Sequence, residues 1–314
     1  MKKLLVSILL PLFLSGSARG ASNNENVGTK VYPFLKNGIG ARPLAMGGAF
    51  TGLADDESAL YYNPAGVASI RTKAFAASYV NYFGDVNSGY LGFLHPLGEN
   101  QTAGAALNYF NYGEFVGLDS AGNFIGNFTP GDLAFQLSYA RRLPKGFSLG
   151  VTGKIIYEKL QDYSSSALAF DLGVLYHFPS ERGRVGLVVQ HLGFQISSFW
   201  EAPRENLPTV VKLGGSIHPV GLPMNVSLDV GFPTDNDLFI SGGLEYLNLN
   251  PVFVRAGYSS FGRNYKAGLE SGKDNLAGFS GGVGVVVQKF QVDYAFLPYS
   301  TLGSAHRFSG AYRF

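Results

Sequence analysis

Residues 147–157 read FSLGVTGKIIY, and this stretch shows the pattern on which the fold prediction rests. Large apolar side chains such as Leu149 and Val151 alternate with small or polar ones such as Thr152 and Lys154. Alternation of this kind is typical of a β-strand that has one apolar and one polar face. A helix would instead repeat its apolar residues every three to four positions, so the stretch predicts a strand.

The same two-residue period recurs along most of the chain after Arg71. The candidate strands have roughly 9 to 13 residues, and a tilted strand needs about 9 to 11 to cross the hydrocarbon of a bilayer. Strands of soluble sandwiches usually have only about five or six. The sequence therefore predicts an all-β fold, a 14-stranded antiparallel transmembrane β-barrel, with strands at 72–83, 88–96, 101–113, 131–143, 146–158, 166–178, 184–193, 207–218, 223–232, 237–247, 251–260, 275–288, 289–298 and 303–314.

Composition and charge placement agree with a barrel in lipid. The 314-residue chain has 42 Gly, no Cys and a net charge of +2, and only 15% of its residues are charged, against about a quarter in soluble proteins. A net charge this small does not indicate nucleic acid. A soluble barrel points its charges outward, whereas these strands place them on the face that also carries Gly, Ala and Ser: Lys154, Asp171, Asp229, Glu245, Arg255 and Asp293.

The connections between the predicted strands differ in length on the two sides. If the last strand ends in the periplasm, the connections on that side are all short, as in outer-membrane barrels. The long connections all fall on the other side, at Gly113–Gly131, Glu158–Ser166, Gly193–Leu207 and Ser259–Asn275.

The first twenty residues have the three parts of a secretory signal peptide. Lys2 and Lys3 form the positive end, 4–14 the apolar part, and 18–20 a small-x-small cleavage site. With the predicted barrel, this signal indicates a location in the outer membrane of a Gram-negative-type (diderm) bacterium.

A segment without strand alternation lies between the signal peptide and the first strand. Lys36–Gly66 reads KNGIGARPLAMGGAFTGLADDESALYYNPAG, with glycines that limit any helix to about two turns and Asn63-Pro64 as a stop. From the residues alone, this is either a surface loop with a turn or a plug inside the barrel. Choosing the plug divides the chain into a signal peptide (1–20), a lumenal hatch (21–70) and the barrel (71–314).

Three motifs in this segment resemble a known family. The runs AMGGAF at 45–50, ADD at 54–56 and YNPAG at 62–66 are similar to the N-terminal signature of PorV/PorQ-like outer-membrane proteins. These proteins are related to the FadL long-chain fatty-acid transporters, whose hatch also carries an Asn-Pro-Ala motif. The runs DYAF at 293–296 and HRFS at 306–309 resemble the same family. The resemblance implies a hatch inside a 14-stranded barrel and places the gating residues at Gly47, Gly48, Asp55, Asp56, Asn63, Pro64 and Ala65.

The resemblance leaves two functions open. FadL relatives move hydrophobic molecules through the hatch and a lateral opening, whereas PorV-type members receive cargo proteins in type IX secretion. The first hypothesis is passage of hydrophobic small molecules through a hatch-gated lumen. The second is an accessory barrel that docks proteins in type IX secretion or envelope assembly. Either a ligand or a partner would meet the apolar residues predicted on the long loops, Phe115, Phe124, Phe128, Phe199 and Trp200.

The sequence does not indicate an enzyme. None of its five His residues has a Ser or Asp at a spacing that suggests a catalytic triad. It also lacks HExxH and a Gly-rich phosphate loop before a helix. We therefore expect no catalytic residue, no metal and no cofactor.

The last predicted strand suggests one partner. Phe308, Gly310 and Tyr312 alternate with polar residues up to Phe314, and this pattern resembles the signal that the barrel assembly machinery reads. We therefore expect that machinery and outer-membrane lipids as partners. We further expect a hydrophobic small molecule or a secretion-system protein, and no nucleic acid.

Overall fold

The computed structural model describes residues 27–265, 276–300 and 303–314, so the predicted signal peptide lies outside the described residues. Four short helical stretches, Pro33–Lys36, Ala41–Ala45, Ala59–Tyr62 and Pro64–Ser69, precede the strands. The strands are β1 (Ala74–Asn81), β2 (Asn87–Gly98), β3 (Gln101–Asn111), β4 (Phe115–Leu118), β5 (Phe124–Phe128), β6 (Gly131–Arg142), β7 (Phe147–Leu160), β8 (Tyr163–His177), β9 (Gly183–Ser197), β10 (Val210–Ile217), β11 (Met224–Pro233), β12 (Phe239–Leu249), β13 (Val252–Ser259), β14 (Phe279–Val287), β15 (Phe290–Pro298) and β16 (Ser304–Arg313).

Fourteen of these strands close into one antiparallel barrel, which confirms the predicted fold class. Strands adjacent in the chain pair with each other, except that β3 pairs with β6 because β4 and β5 form a separate hairpin. The barrel closes where β1 meets β16, with Ala74 opposite Arg313 and Asn81 opposite His306. Each barrel strand therefore has a hydrogen-bonded neighbour on both sides.

The two faces of the strands have the polarity that the sequence predicted. On β6, Phe135 and Leu137 are exposed, whereas Gln136 and Ser138 are buried. The predicted charged face is buried as well, with Lys154, Asp171, Asp229, Glu245, Arg255 and Asp293 all at most 4% exposed. Large apolar side chains thus cover the outside of the barrel and polar ones face its interior.

Within the described ranges, no helix has both the length and the apolar character that are needed to cross a bilayer.

The two ends of the barrel differ as expected. At the end that holds Arg313, which we call the turn end, the connections are short: 99–100, 143–146, 178–182, 218–223, 250–251 and 288–289. At the opposite end, the loop end, lie the long connections 112–130, 198–209 and 260–278, of which the last is described only in part. All three belong to the predicted long set.

One predicted long connection, Glu158–Ser166, is wrong. β7 continues to Leu160 and β8 begins at Tyr163, so only residues 161–162 connect them. The run of serines at 164–166 resembles a loop in sequence, yet these residues pair with 157–159. Ser165 is buried and its hydroxyl donates to the Ser197 carbonyl at 2.9 Å, which stabilises a polar strand end.

A charge placed on the lipid-facing side tests this orientation. We expect Leu137→Arg, at the middle of β6, to lower the free energy of unfolding in liposomes by about 2–4 kcal/mol, because a charge at mid-bilayer loses its hydration. Leu118→Arg on the hairpin is the control and should change stability by less than about 0.5 kcal/mol. Equal stability of the two variants would contradict a membrane-facing wall.

Candidate functional site: the inner segment and its cavity

Residues 32–70, here called the inner segment, contact inward-facing side chains on strands all around the barrel. The side chain of Gln136 on β6 donates to the Leu60 carbonyl at 3.2 Å, and that of Gln190 on β9 to the Tyr61 carbonyl at 2.6 Å. Across the ring, Ser309 on β16 accepts from the Ala41 amide at 3.1 Å. A segment with contacts on strands this far apart lies within the ring that they form. That it acts as a hatch stays a prediction.

Arg42 is the centre of the ionic contacts between the inner segment and the wall. Its guanidinium binds both oxygens of Glu245 at 2.8 Å, and Nη1 lies 2.6 Å from Asp55 and 2.8 Å from Asp56. Burial alone would lower the pKa of Arg42, but the carboxylates of Asp55, Glu245 and Asp56 raise it well above its ordinary value. Arg42 is therefore a permanent cation that connects the two predicted acidic residues to β12.

The ionic contacts continue into the wall. Arg255 on β13 donates to Glu245 at 2.8 Å and to Asp293 on β15 at 2.6 Å. Arg184 on β9 lies 3.1 Å from Asp55. Removing one member of such a buried network leaves a charge without its partner, at a cost of about 3–5 kcal/mol. The network therefore holds the inner segment firmly in its present position.

Gly47 and Gly48 lie at a turn of the inner segment against the wall, with φ angles of 67° and 77°. A Cβ at Gly47 would come within 2.6 Å of the Tyr258 carbonyl oxygen on β13, whereas a Cβ at Gly48 would meet nothing within 4 Å. Close packing thus excludes a side chain only at position 47. At both positions the left-handed backbone favours glycine. Both residues line the cavity described below.

Asn63, Pro64 and Ala65 attach the other half of the inner segment. The side-chain nitrogen of Asn63 donates to the Thr51 carbonyl at 2.9 Å, and the side-chain oxygen of Asn63 accepts from the Ala65 backbone amide at 3.1 Å. Asn63 therefore caps the short helix Pro64–Ser69. The motif lies directly against glycines on three neighbouring strands, where any Cβ would overlap it: Gly150, Gly173 and Gly186.

A cavity of about 170 Å³ lies between the inner segment and the wall on the loop-end side. Its lining comes from the inner segment, from residues of β9 to β16 and from their loop-end connections. The apolar lining residues are Leu35, Leu44, Val210, Phe239, Phe261, Phe279 and Leu297. Such a lining suits an apolar molecule.

Two cations that line the cavity form no salt bridge among the described residues. Lys212 Nζ lies 6.0 Å from the ring centres of Tyr62 and Phe239, and the carboxylates of Asp229 and Asp171 attract it from a longer distance. Arg307 is 2% exposed and donates to the Gly38 carbonyl at 2.7 Å and the Tyr82 hydroxyl at 2.8 Å, but its Nε has no partner. Buried charges are normally paired, so the cavity can accept an anionic group.

The predicted loop aromatics form two groups, and none of them lines the cavity. Phe115 and Phe128 stack at 5.9 Å on the β4–β5 hairpin, where Phe124 is 66% exposed. Phe199 and Trp200 lie 5.6 Å apart in the β9–β10 connection. Their role in binding a ligand or partner stays a prediction.

Sequence reasoning missed Arg42, Lys212 and Arg307. Lys212 and Arg307 share the inward face of their strands with small residues. The alternation of the strand sequence could therefore have shown that both side chains point into the barrel. Arg42 lies within the quoted irregular segment, where no periodicity shows which way a side chain points.

The sequence matches the family model described as type IX secretion system protein PorV over residues 20–226. None of the curated proteins compared with the chain matches it.

Solved structures share the fold. The Pseudomonas putida toluene transporter TodX aligns with a TM-score of 0.63 and 13% identity, over 88% of this chain and 98% of that one. The Ralstonia pickettii toluene transporter TbuX gives 0.58 and 14%, over 88% and 98%. A Pseudomonas aeruginosa FadL homologue gives 0.57 and 12%, over 87% and 96%. At these identities the likeness shows a common fold.

A methyl group added under the Asn-Pro-Ala motif tests the attachment of the inner segment. We expect Gly150→Ala to lower the free energy of unfolding by about 1–3 kcal/mol, because the methyl overlaps Pro64 and Ala65. Proteolysis should also cleave residues 36–70 faster in this variant.

The matched control is Gly153→Ala on the same strand, which faces outward and meets only Phe170 at 3.8 Å. It should change stability by less than about 0.5 kcal/mol. If both variants behaved alike, the motif would not be packed on β7.

Proposed function

The chain belongs to the family of the type IX secretion system protein PorV, and from that premise we propose that it is an outer-membrane barrel that passes amphipathic small molecules with an anionic end. The apolar outer surface supports a membrane location, with the turn end toward the periplasm. The fold, shared with two toluene transporters, supports passage of largely hydrophobic solutes.

The cavity is the observation that carries this proposal. It combines an apolar lining with two cations that form no salt bridge among the described residues, Lys212 and Arg307. A neutral hydrocarbon would leave the Nε of Arg307 without a partner, whereas a carboxylate or sulfonate supplies one. The preferred solute therefore has an apolar body and one anionic group.

The proposed route of the solute runs along the inner segment. The closed ring pairs each strand with two neighbours, and the proposed route therefore runs along the lumen. A solute that leaves the cavity toward the turn end must displace part of the inner segment. The part held by Arg42 is the one that separates from β12, because its ionic contacts with Glu245 can be exchanged for contacts with an anionic solute.

Neutralising Lys212 tests the proposal. We expect Lys212→Gln to weaken binding of a medium-chain alkyl sulfonate by about tenfold or more, the effect of losing one charge-assisted contact. Binding of the uncharged alcohol of equal chain length should not change. Uptake of the sulfonate into liposomes should fall in parallel.

The control is Lys159→Gln, which removes an exposed cation at the loop end. Equal sulfonate affinity of the wild type and Lys212→Gln would contradict an anion-binding cavity. An absence of protein-dependent uptake would contradict passage.

One observation favours a second function, an accessory barrel that docks proteins in type IX secretion. The β4–β5 hairpin pairs with no barrel strand and exposes apolar side chains beyond the wall, namely Val116, Leu118, Phe124 and Ile125. Contiguous exposed apolar residues of this kind are typical of partner contacts.

Cross-linking in intact membranes tests the second function. A photoreactive residue at Phe124 should cross-link to a secretion component or to a cargo with a C-terminal signal domain, and Ile125→Ser should reduce the yield several-fold. Leu238→Ser, at an exposed apolar position in another loop-end connection, is the control. No specific cross-link, together with intact sulfonate uptake, would contradict docking.

A further inference from the structure

Among the described residues, the exposed charges at the two ends of the barrel differ in their prevailing sign. The turn end has the acidic residues Glu99 and Glu181, but its exposed cations are more numerous: Arg71, Lys73, Arg141, Lys145, Arg182 and Lys289. No ion pair involves these six cations within the described part of the chain. The loop end has exposed Lys159 and Arg204 against a larger acidic set: Asp85, Glu114, Asp119, Asp162, Glu205 and Asp237.

Two of the turn-end lysines lie at the seam where β16 sits between β1 and β15. The Phe314 amide donates to the Lys73 carbonyl at 2.9 Å, and the Arg313 amide donates to the Lys289 carbonyl at 3.0 Å. Lys73 and Lys289 therefore approach the end of β16 from its two sides. Both are exposed, and they make a cationic edge at this point of the rim.

A row of outward-facing rings lies next to these lysines. Tyr312 is 4.6 Å from Phe290 and 4.9 Å from Phe314 between ring centres, and Phe75 is its register partner on β1. Phe290 is 60% and Phe314 56% exposed. We call Lys73, Lys289, Phe290, Tyr312 and Phe314 the seam cluster. Aromatic rings beside long cationic side chains are typical of the level where lipid head groups meet hydrocarbon.

A shallow groove continues from the rings toward the middle of the barrel. Gly310 lies two residues before Tyr312 on β16. Its register partners are Ala77 on β1 and Val292 on β15. A Cβ at Gly310 would meet nothing nearer than the Gln291 carbonyl oxygen at 3.6 Å. The next row consists of large rings, namely Phe308 and its register partners Tyr79 and Tyr294. Ala77 and Gly310 thus leave a shallow depression between two aromatic rows, with Val292 projecting beside it.

We propose that the seam cluster binds an anionic phospholipid of the inner leaflet. The phosphate and its acidic head group lie between Lys73 and Lys289, the glycerol region contacts the rings, and one acyl chain follows the groove over Gly310. Lipid binding at the seam cluster does not require that the barrel passes solutes.

Two observations favour a lipid over an acidic protein. The rings of the seam cluster stand on the outward face at the ends of β15 and β16, and they continue into the exposed apolar side chains Val292 and Phe308. The same combination recurs at β7–β8, where Lys145 neighbours the contacting rings of Phe147, Tyr176 and Phe178.

Native mass spectrometry of the folded protein in neutral detergent tests this site. Phosphatidylglycerol should bind more tightly than phosphatidylethanolamine with the same acyl chains. The Lys73→Gln/Lys289→Gln double variant should lose about tenfold or more in phosphatidylglycerol affinity, since each cation near an anionic surface contributes to attraction. Its phosphatidylethanolamine affinity should be unchanged.

Lys159→Gln at the loop end is the matched control and should bind phosphatidylglycerol like the wild type. The heat-dependent gel shift of each variant verifies that the barrel is folded. Equal binding of both lipids, or full phosphatidylglycerol affinity in the double variant, would overturn the proposal. So would a double variant that keeps its lipid affinity but no longer binds an acidic periplasmic protein.

Discussion

Glu245 is the wall residue whose carboxylate binds both the inner segment and neighbouring residues of the wall. Its carboxylate accepts hydrogen bonds from Arg42 of the inner segment and from Arg255 and Asn225 of the wall. A barrel with an apolar outside must place its charges inside, and a buried charge without a partner is costly. The wall pairs some of these charges itself, as in Lys154 with Asp171 at 2.6 Å. For others, such as Asp229, the inner segment supplies partners through the backbone amides of Phe50 and Thr51.

Both halves of the inner segment pack closely against strand glycines. The half around Asn63 contacts Gly150, Gly173 and Gly186, and the half around Arg42 contacts Gly243, Gly257 and Gly282. The half around Arg42 has ionic contacts in addition, and the backbone amides of Phe50 and Thr51 donate to Asp229 at 2.9 and 2.8 Å. An ionic contact can be exchanged for a contact with another ion, so under the proposed function the Arg42 contacts are the ones that a charged solute can replace.

The sequence predicted the barrel well because each strand must present one face to lipid and the other to the interior. Apolar and polar side chains must therefore alternate along each strand. The same reasoning missed the β4–β5 hairpin, because neither of its faces is buried in the barrel and its residues follow no such rule. It also mistook the serines at 164–166 for a loop, since their partners come from distant Tyr32 and Gln195. The roles of Arg42, Lys212 and Arg307 depend on residues far apart in the chain, and local patterns do not show such pairings.

Arg307 connects the cavity to the inner segment. One of its terminal nitrogens holds the Gly38 carbonyl at 2.7 Å, while its Nε faces no partner. Under the proposed function, an anionic solute in the cavity competes with Gly38 for this guanidinium, because an anion is the stronger acceptor. A ligand shifts a conformational equilibrium only by its differential affinity for the two states. In the proposed function Arg307 provides that difference, since it binds the neutral Gly38 carbonyl when the cavity is empty and would bind an anion when residues near Gly38 move away. Under that proposal, entry of the solute and release of this part of the inner segment are coupled through one side chain.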